Sequence, residues 1–313
     1  MEGKRTENSI RLVMGTIWPE EHVFHGLQES FANTVESDSN GSLVVEVRSG
    51  RSEADLLAKA VLGEIQMVST SAIQSSLPAA SLLYLPFLYS GIDHYRSVWR
   101  LGGETVGQRI AERIEAIGTL KVLGYTVIGQ RDMLLAETAI ERLEDFSGLR
   151  VRVDGADISV ATFEALGAEP HTIGYYDVSN ALANGAIDAA ENSPINFEPM
   201  GWHSHCRHLS LTKHRMLLNI EMMHLDTWVT LGSKNQEIIR EAVAGMSERF
   251  AQTAKEGREE AIRNLQRFDI SINEVSQEEM CRMKDAVAKL NQSFITKNAL
   301  DEEMRDIVRL TSS

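Results

Sequence analysis

Leu149-Arg150-Val151-Arg152-Val153 and Ile187-Asp188-Ala189-Ala190-Glu191-Asn192 set the architecture of this chain. The first alternates, so Arg150 and Arg152 share one face of a strand while Leu149, Val151 and Val153 share the other. The second reads as a short apolar strand over 187–190 that ends in Glu191-Asn192. Between them, helical spacing runs over 159–166, with Gly167 beyond it, and over 177–183, closed by Asn184-Gly185. Upstream, a strand over 120–127 leads into Gly129-Gln130-Arg131, and Ser147-Gly148 ends a helical turn over 143–146. Strands thus alternate with helices, as in an open α/β sheet.

The N-terminal region repeats the pattern. A strand over 10–14 ends in Gly15-Thr16, and Trp18-Pro19-Glu20-Glu21-His22 turns into a helix over 23–35. Asn40-Gly41 precedes a strand over 42–48, then comes a helix over 54–62 stopped by Gly63 and a buried strand over 65–68. In open α/β sheets ligands sit beyond the carboxyl ends of the strands, which nominates Trp18 and Ser69-Thr70-Ser71. A single helix is expected over 94–117. Ser233 is a good N-cap for proline-free helical spacing over 234–267, which unbroken would span roughly 50 Å. Further helices are expected over 277–295 and 300–310.

The length of 313 residues suits two domains, and 43% apolar residues supply real cores. The longest apolar run, over 82–89, contains Pro86 and is far too short to cross a bilayer, so no membrane insertion is expected. A formal charge of −14 argues against nucleic acid or an anionic membrane as partner. An anionic ligand would need local arginines. Cys206 and Cys281 make no disulfide framework, and whether they pair is open. The polar start over 1–9 has no apolar h-region.

No phosphate loop, spaced-glycine dinucleotide turn or Gly-x-Ser-x-Gly elbow is present. Trp202-His203-Ser204-His205-Cys206-Arg207-His208 offers metal-ligand side chains, but its spacing matches no standard zinc site. It reads first as a histidine-rich helix end or loop, with a metal site or metallohydrolase as the rival. Arg131 and Arg152 both follow or end strands, and a guanidinium fork matches a carboxylate. They can converge on one anion or form surface ion pairs. Asn192 can serve a ligand or simply form a turn before Pro194. Tyr175, Tyr176 and Trp18 can line a ligand or pack.

Four stretches bear a family resemblance. Asp145-Phe146-Ser147-Gly148-Leu149-Arg150-Val151-Arg152-Val153, Gly167-Ala168-Glu169-Pro170, the run from Ala181 to Asn192, and Leu85-Pro86-Phe87 resemble solute-binding proteins of the tripartite ATP-independent periplasmic (TRAP) transporters, DctP type. The similarity covers roughly residues 10–305. There are departures: Asp177 and Ser179 replace the usual glutamate and tyrosine, Ala189 a usual glycine, and the glycine loop is reduced to Ser49-Gly50-Arg51-Ser52-Glu53.

The resemblance implies a periplasmic binding protein-like α/β fold of two domains with a central cleft and a long domain-spanning helix. The domains would be 1–126 with 214–250, and 127–213 with 251–313. It implies no enzyme and no cofactor, but a monomeric periplasmic receptor, its signal peptide removed, that hands an organic acid to membrane permease subunits. Arg152 would grip the carboxylate, assisted by Arg131 and Asn192, with Tyr175 lining the pocket and Trp18 and Ser71 added from the other domain. A sugar acid, hexuronate or aldonate, is favoured, since Ser69, Thr70, Ser71 and Asn196 suit hydroxyl groups. A C4-dicarboxylate or short hydroxy acid would use the same arginine.

Overall fold

The computed structural model describes residues 9–75 and 77–311; most of the polar opening stretch, over 1–8, lies outside the described residues. The strands are β1 (Ile10–Thr16), β2 (Leu43–Ser49), β3 (Met67–Thr70), β4 (Leu120–Leu135), β5 (Arg150–Val153), β6 (Glu169–Thr172), β7 (Ala189–Asn192), β8 (His208–His224) and β9 (Ser271–Glu274). The helices are α1 (Val23–Asp38), α2 (Glu53–Val61), α3 (Ile92–Val98), α4 (Val106–Glu115), α5 (Asp157–Leu166), α6 (Val178–Ala183), α7 (Leu225–Thr230), α8 (Gly232–Gln266), α9 (Gln277–Lys297) and α10 (Asp301–Thr311). The chain divides into two compact units. The first comprises residues up to Leu77, Trp99–Val127 and Leu218–Gln252; the second comprises Pro78–Val98, Ile128–Leu217 and the chain from Thr253. β4, β8 and α8 are each shared between the units along their length.

In the first unit β1 lies between β2 and β3 and runs parallel to both. β3 pairs antiparallel with the end of β8, Ser69 opposite Glu221. Ser52 caps α2 by accepting from the Asp55 N–H, and Glu53 and Asp55 place negative charge in its first turn. Leu56 of α2 presses against β1 so closely that a Cβ on Gly15 would lie 2.8 Å from it. Glycine at that position lets helix and strand meet.

In the second unit β5 runs parallel between β6 and β7, and β7 pairs antiparallel with β4. One face of this sheet carries Met133, Val151 and Val153 into a core with Phe146 and Phe163, closed by Met283 and Val287 of α9. The other face carries Leu134 and Ala190 into a core with Val178, Trp202 and Leu265. Helices therefore cover both faces of this sheet.

Several expectations need correction. The helix over 94–117 is two helices, because Gly102 and Gly103 take φ of +91° and +66° and Thr105 then caps α4 through the Gln108 N–H. The strands β6, β8 and β9 have no counterpart in the sequence reading. Residues 78–98, drawn there within 1–126, pack with the second unit: the Phe87 N–H bonds the His214 carbonyl at 2.8 Å and Asn291 bonds the Pro86 carbonyl at 3.0 Å. The long helix is unbroken over 35 residues despite Gly245 and Gly257. Among the described residues no helix is long and apolar enough to cross a membrane.

Candidate ligand-binding site

Register places the polar residues of the second unit. Arg152 stands opposite Ala190, and Met133 opposite Glu191. Arg152 and Asn192 therefore share one face, while Arg131 and Glu191 share the other. Arg152 lies near the end of β5 and Glu191 and Asn192 at the end of β7, while Arg131 lies within β4.

Glu191 is the centre of a buried charge network. Arg131 donates two guanidinium N–H groups to its carboxylate in a fork, and a third bond to its backbone oxygen at 2.9 Å. Arg215 reaches the same carboxylate at 3.3 Å and also donates to Asp154 at 3.0 Å and to the Ser159 hydroxyl. Burial pushes the Glu191 carboxyl up, but Arg131 and Arg215 pull it further down, so it stays ionised well below the ordinary carboxylate range. His214 lies 3.4 Å from Glu191 through Nε2 and 2.8 Å from the Thr212 hydroxyl through Nδ1. Since the carboxylate can only accept, Nε2 carries the proton and Nδ1 accepts. Burial lowers the His214 pKa, so the ring is neutral near pH 7. Consecutive strand residues normally face opposite ways. Here Lys213 has φ of +47°, its N–H is held by Asp132 at 2.9 Å, and His214 and Arg215 both reach Glu191.

Arg152 is different. It is 4% exposed, its Nε donates to the Ile173 carbonyl at 2.8 Å, and its guanidinium lies 5.7 Å from the centre of the Trp202 ring. Its two terminal amino groups have no hydrogen-bond partner among the described residues. Burial lowers the Arg152 pKa, with Asp154 and Glu191 acting against that shift. Tyr175 meets Trp202 edge-on, ring centres 5.5 Å apart. The Asn192 carbonyl oxygen accepts from the Ser193 N–H at 2.8 Å and from the Asn196 amide at 2.7 Å. The Asn192 amide N–H groups are therefore left as donors. Of the five residues expected in this unit, Arg152, Tyr175, Asn192 and Asn196 fall on or beside one face, and Arg131 is bound into the Glu191 network. Sequence reasoning missed the roles of Glu191, Arg215 and Asp154. A basic residue beside the apolar run Met216-Leu217-Leu218 was the available signal for Arg215.

Trp18 and Ser71 lie in the first unit. The Trp18 ring is buried and stacks on His22 at 4.7 Å, beside Phe24. Its surface is engaged in packing. Ser71 donates its N–H and its hydroxyl to Glu53 at 2.9 and 2.8 Å. At the end of β3 stands another buried carboxyl, Glu221. Ser69 and Thr126 donate to its Oε1 at 2.9 and 2.6 Å, while its Oε2 is buried without a partner among the described residues. Burial pushes this carboxyl up to about 7, against the two hydroxyl donors.

A raised carboxyl has a definite sign. Folding takes up the proton, so the Glu221 contribution is full below the ordinary value of 4.5 and is lost as pH rises to about 7. Glu221→Gln should match wild type near pH 4.5 and melt higher at pH 8, by an amount on the order of 3 kcal/mol. Melting curves at both pH values check this; a variant less stable than wild type at pH 8 contradicts it.

The rival metal site assembles no ligand set. Among the described residues no group of three or more His, Cys, Asp or Glu side chains converges. His203 packs on Phe268 at 4.5 Å and bonds the Phe197 carbonyl at 3.3 Å. Cys206 is buried, with its thiol pushed up to about 12 by burial, and it is not paired with the exposed Cys281.

A solute-binding protein of Chromohalobacter salexigens is 27% identical over 260 residues, covering 79% of this chain and 76% of that one. Among solved structures, a TRAP periplasmic solute binding protein from the same organism, with bound D-glucuronate, matches with a TM-score of 0.89 at 24% identity, over 96% of this chain and 99% of that one. The sugar acid binding protein DctPAm of Advenella mimigardefordensis, in complex with galactonate, matches with a TM-score of 0.89 at 22% identity, over 97% and 98% of the two chains. The family model for DctP, bacterial extracellular solute-binding protein family 7, matches residues 14–298, and the chain belongs to that family.

Proposed function

We propose that this chain is a periplasmic, non-enzymatic receptor that captures one sugar acid, a hexuronate or aldonate, and hands it to TRAP permease subunits. The observation that carries this reading is Arg152, a buried guanidinium whose terminal amino groups face no protein acceptor among the described residues. A carboxylate meets that fork in a bidentate, charge-assisted pair. The Asn192 amide adds donors beside it.

Charge arithmetic favours a monoanion. Arg131, Arg152 and Arg215 stand against Glu191 and Asp154, three cations against two anions, with His214 neutral. One positive charge is left over. A single carboxylate balances it, and a dicarboxylate would add one buried charge too many. Relatives of the same fold hold glucuronate, galacturonate and galactonate, and one holds succinate.

A thermal-shift series tests this. A ligand that binds only the folded state raises the melting temperature by mass action. D-glucuronate or D-galactonate should raise it while D-glucose and D-galactose do not. A shift with succinate alone would turn the reading to a dicarboxylate. Shifts with the neutral sugars alone would remove Arg152 as the anchor.

A further inference from the structure

Arg152 lies among carboxylates that it does not touch. Asp154 directly follows β5, two residues beyond Arg152. Of the carboxylates acting on Arg152, Asp154 acts most strongly and Glu191 next. Neither forms an ion pair with it. Both are bonded by Arg215 instead, through one terminal nitrogen, at 3.0 Å to Asp154 and 3.3 Å to Glu191.

We propose, on the reading above, that Arg215 is a positioning residue that keeps Arg152 open to the ligand by holding the site's own carboxylates away from it. Several contacts fix Arg215 in that place. Its other terminal nitrogen donates to Ser159 on α5, and its guanidinium lies 5.5 Å from the centre of the Tyr84 ring. The left-handed backbone at Lys213 turns its strand segment toward Glu191. Lysine's single ammonium lacks the planar fork whose two terminal nitrogens reach Ser159 and the two carboxylates separately. Without Arg215, Asp154 swings to Arg152 and competes with the ligand from inside the protein. The apparent affinity then falls by the fraction of molecules in which Arg152 is still open.

The test is a double-mutant cycle with D-glucuronate titrated calorimetrically into wild type, Arg215→Met, Asp154→Asn and the double variant. If nine molecules in ten close internally, Arg215→Met weakens binding about tenfold. Asp154→Asn removes the competing carboxylate itself and one negative charge beside the ligand, so alone it should bind more tightly than wild type, not more weakly. The double variant should recover most of the loss, and Arg215→Lys should fall between. A double variant as weak as Arg215→Met overturns the proposal, as does Asp154→Asn alone being equally weak. A crystal structure of unliganded Arg215→Met decides the same point without any ligand. Asp154 on the Arg152 terminal amino groups supports the proposal, and Asp154 left in place refutes it. Absence of D-glucuronate binding by wild type would count against the sugar-acid reading, while the crystal structure would still judge Arg215.

Discussion

Arg152→Met loses sugar-acid binding while the protein keeps its fold. Removing one partner of a buried, hydrogen-bonded charge pair costs 2–5 kcal/mol, which is roughly 30-fold to several thousand-fold in Kd. Arg152 belongs in that class because, among the described residues, only its Nε is engaged and the guanidinium is almost wholly buried. The same facts set the sign of the stability change. In the unliganded protein the cation is desolvated, and Asp154 and Glu191 offset that cost only from a distance. A methionine of similar length keeps the contact with Trp202 and removes the charge. The unliganded variant should therefore melt no lower than wild type, and calorimetric titration should show binding reduced by at least about 30-fold. A variant that binds D-glucuronate as tightly as wild type would eliminate the carboxylate–Arg152 pair. Loss of binding with a collapsed melting temperature would mean that Arg152 holds the fold.

The contrast with Arg131 explains what a sequence can reveal about such a site. The sequence places both arginines at or just after strand ends and makes both anion-ligand candidates; the structure keeps Arg152 near the end of β5 but puts Arg131 inside β4. The difference lies in a partner 60 residues away from Arg131, Glu191, which takes its fork. No local pattern announces that pairing. The local alternation at 149–153 placed Arg152 on its face correctly, because period-two alternation in a doubly covered sheet leaves little choice. The α8 helix was equally legible, since 35 residues without proline admit few alternatives. β8 was not. Its apolar residues are buried on both faces, so alternation is missing, and Lys213-His214-Arg215 interrupts the run with charge. Those residues belong to a strand because Asp132, Glu191 and Asp154 accept their hydrogen bonds from distant parts of the chain. Trp18 stands just after β1, where the sequence reading puts it, and its ring stacks on His22.

Glu191→Gln should be the most destabilising single change in the site. Glutamine keeps the shape and removes the charge that compensates Arg131 and Arg215, both almost wholly buried. Uncompensated buried charges of this kind cost 3–5 kcal/mol. For a unit of this size the melting temperature should fall on the order of 10 °C at pH 7. The pH dependence carries the mechanism. Because the folded carboxyl lies below its ordinary value of 4.5, its contribution is full above that pH and is lost as pH falls toward the folded value. Acid should therefore narrow the gap between wild type and Glu191→Gln from below about pH 4.5. Glu221 works in the reverse sense, losing its contribution as pH rises to about 7. Both side chains are glutamates, and both are almost fully buried. Two guanidiniums face Glu191, whereas only two hydroxyls serve Glu221, and that difference in neighbours sets the opposite signs. Melting curves of the two variants across pH 4 to 8 should diverge from wild type in opposite directions. If Glu191→Gln melts within a few degrees of wild type at pH 7, the Glu191 carboxylate does not hold the arginines, and the charge arithmetic that favours a monoanionic ligand falls with it.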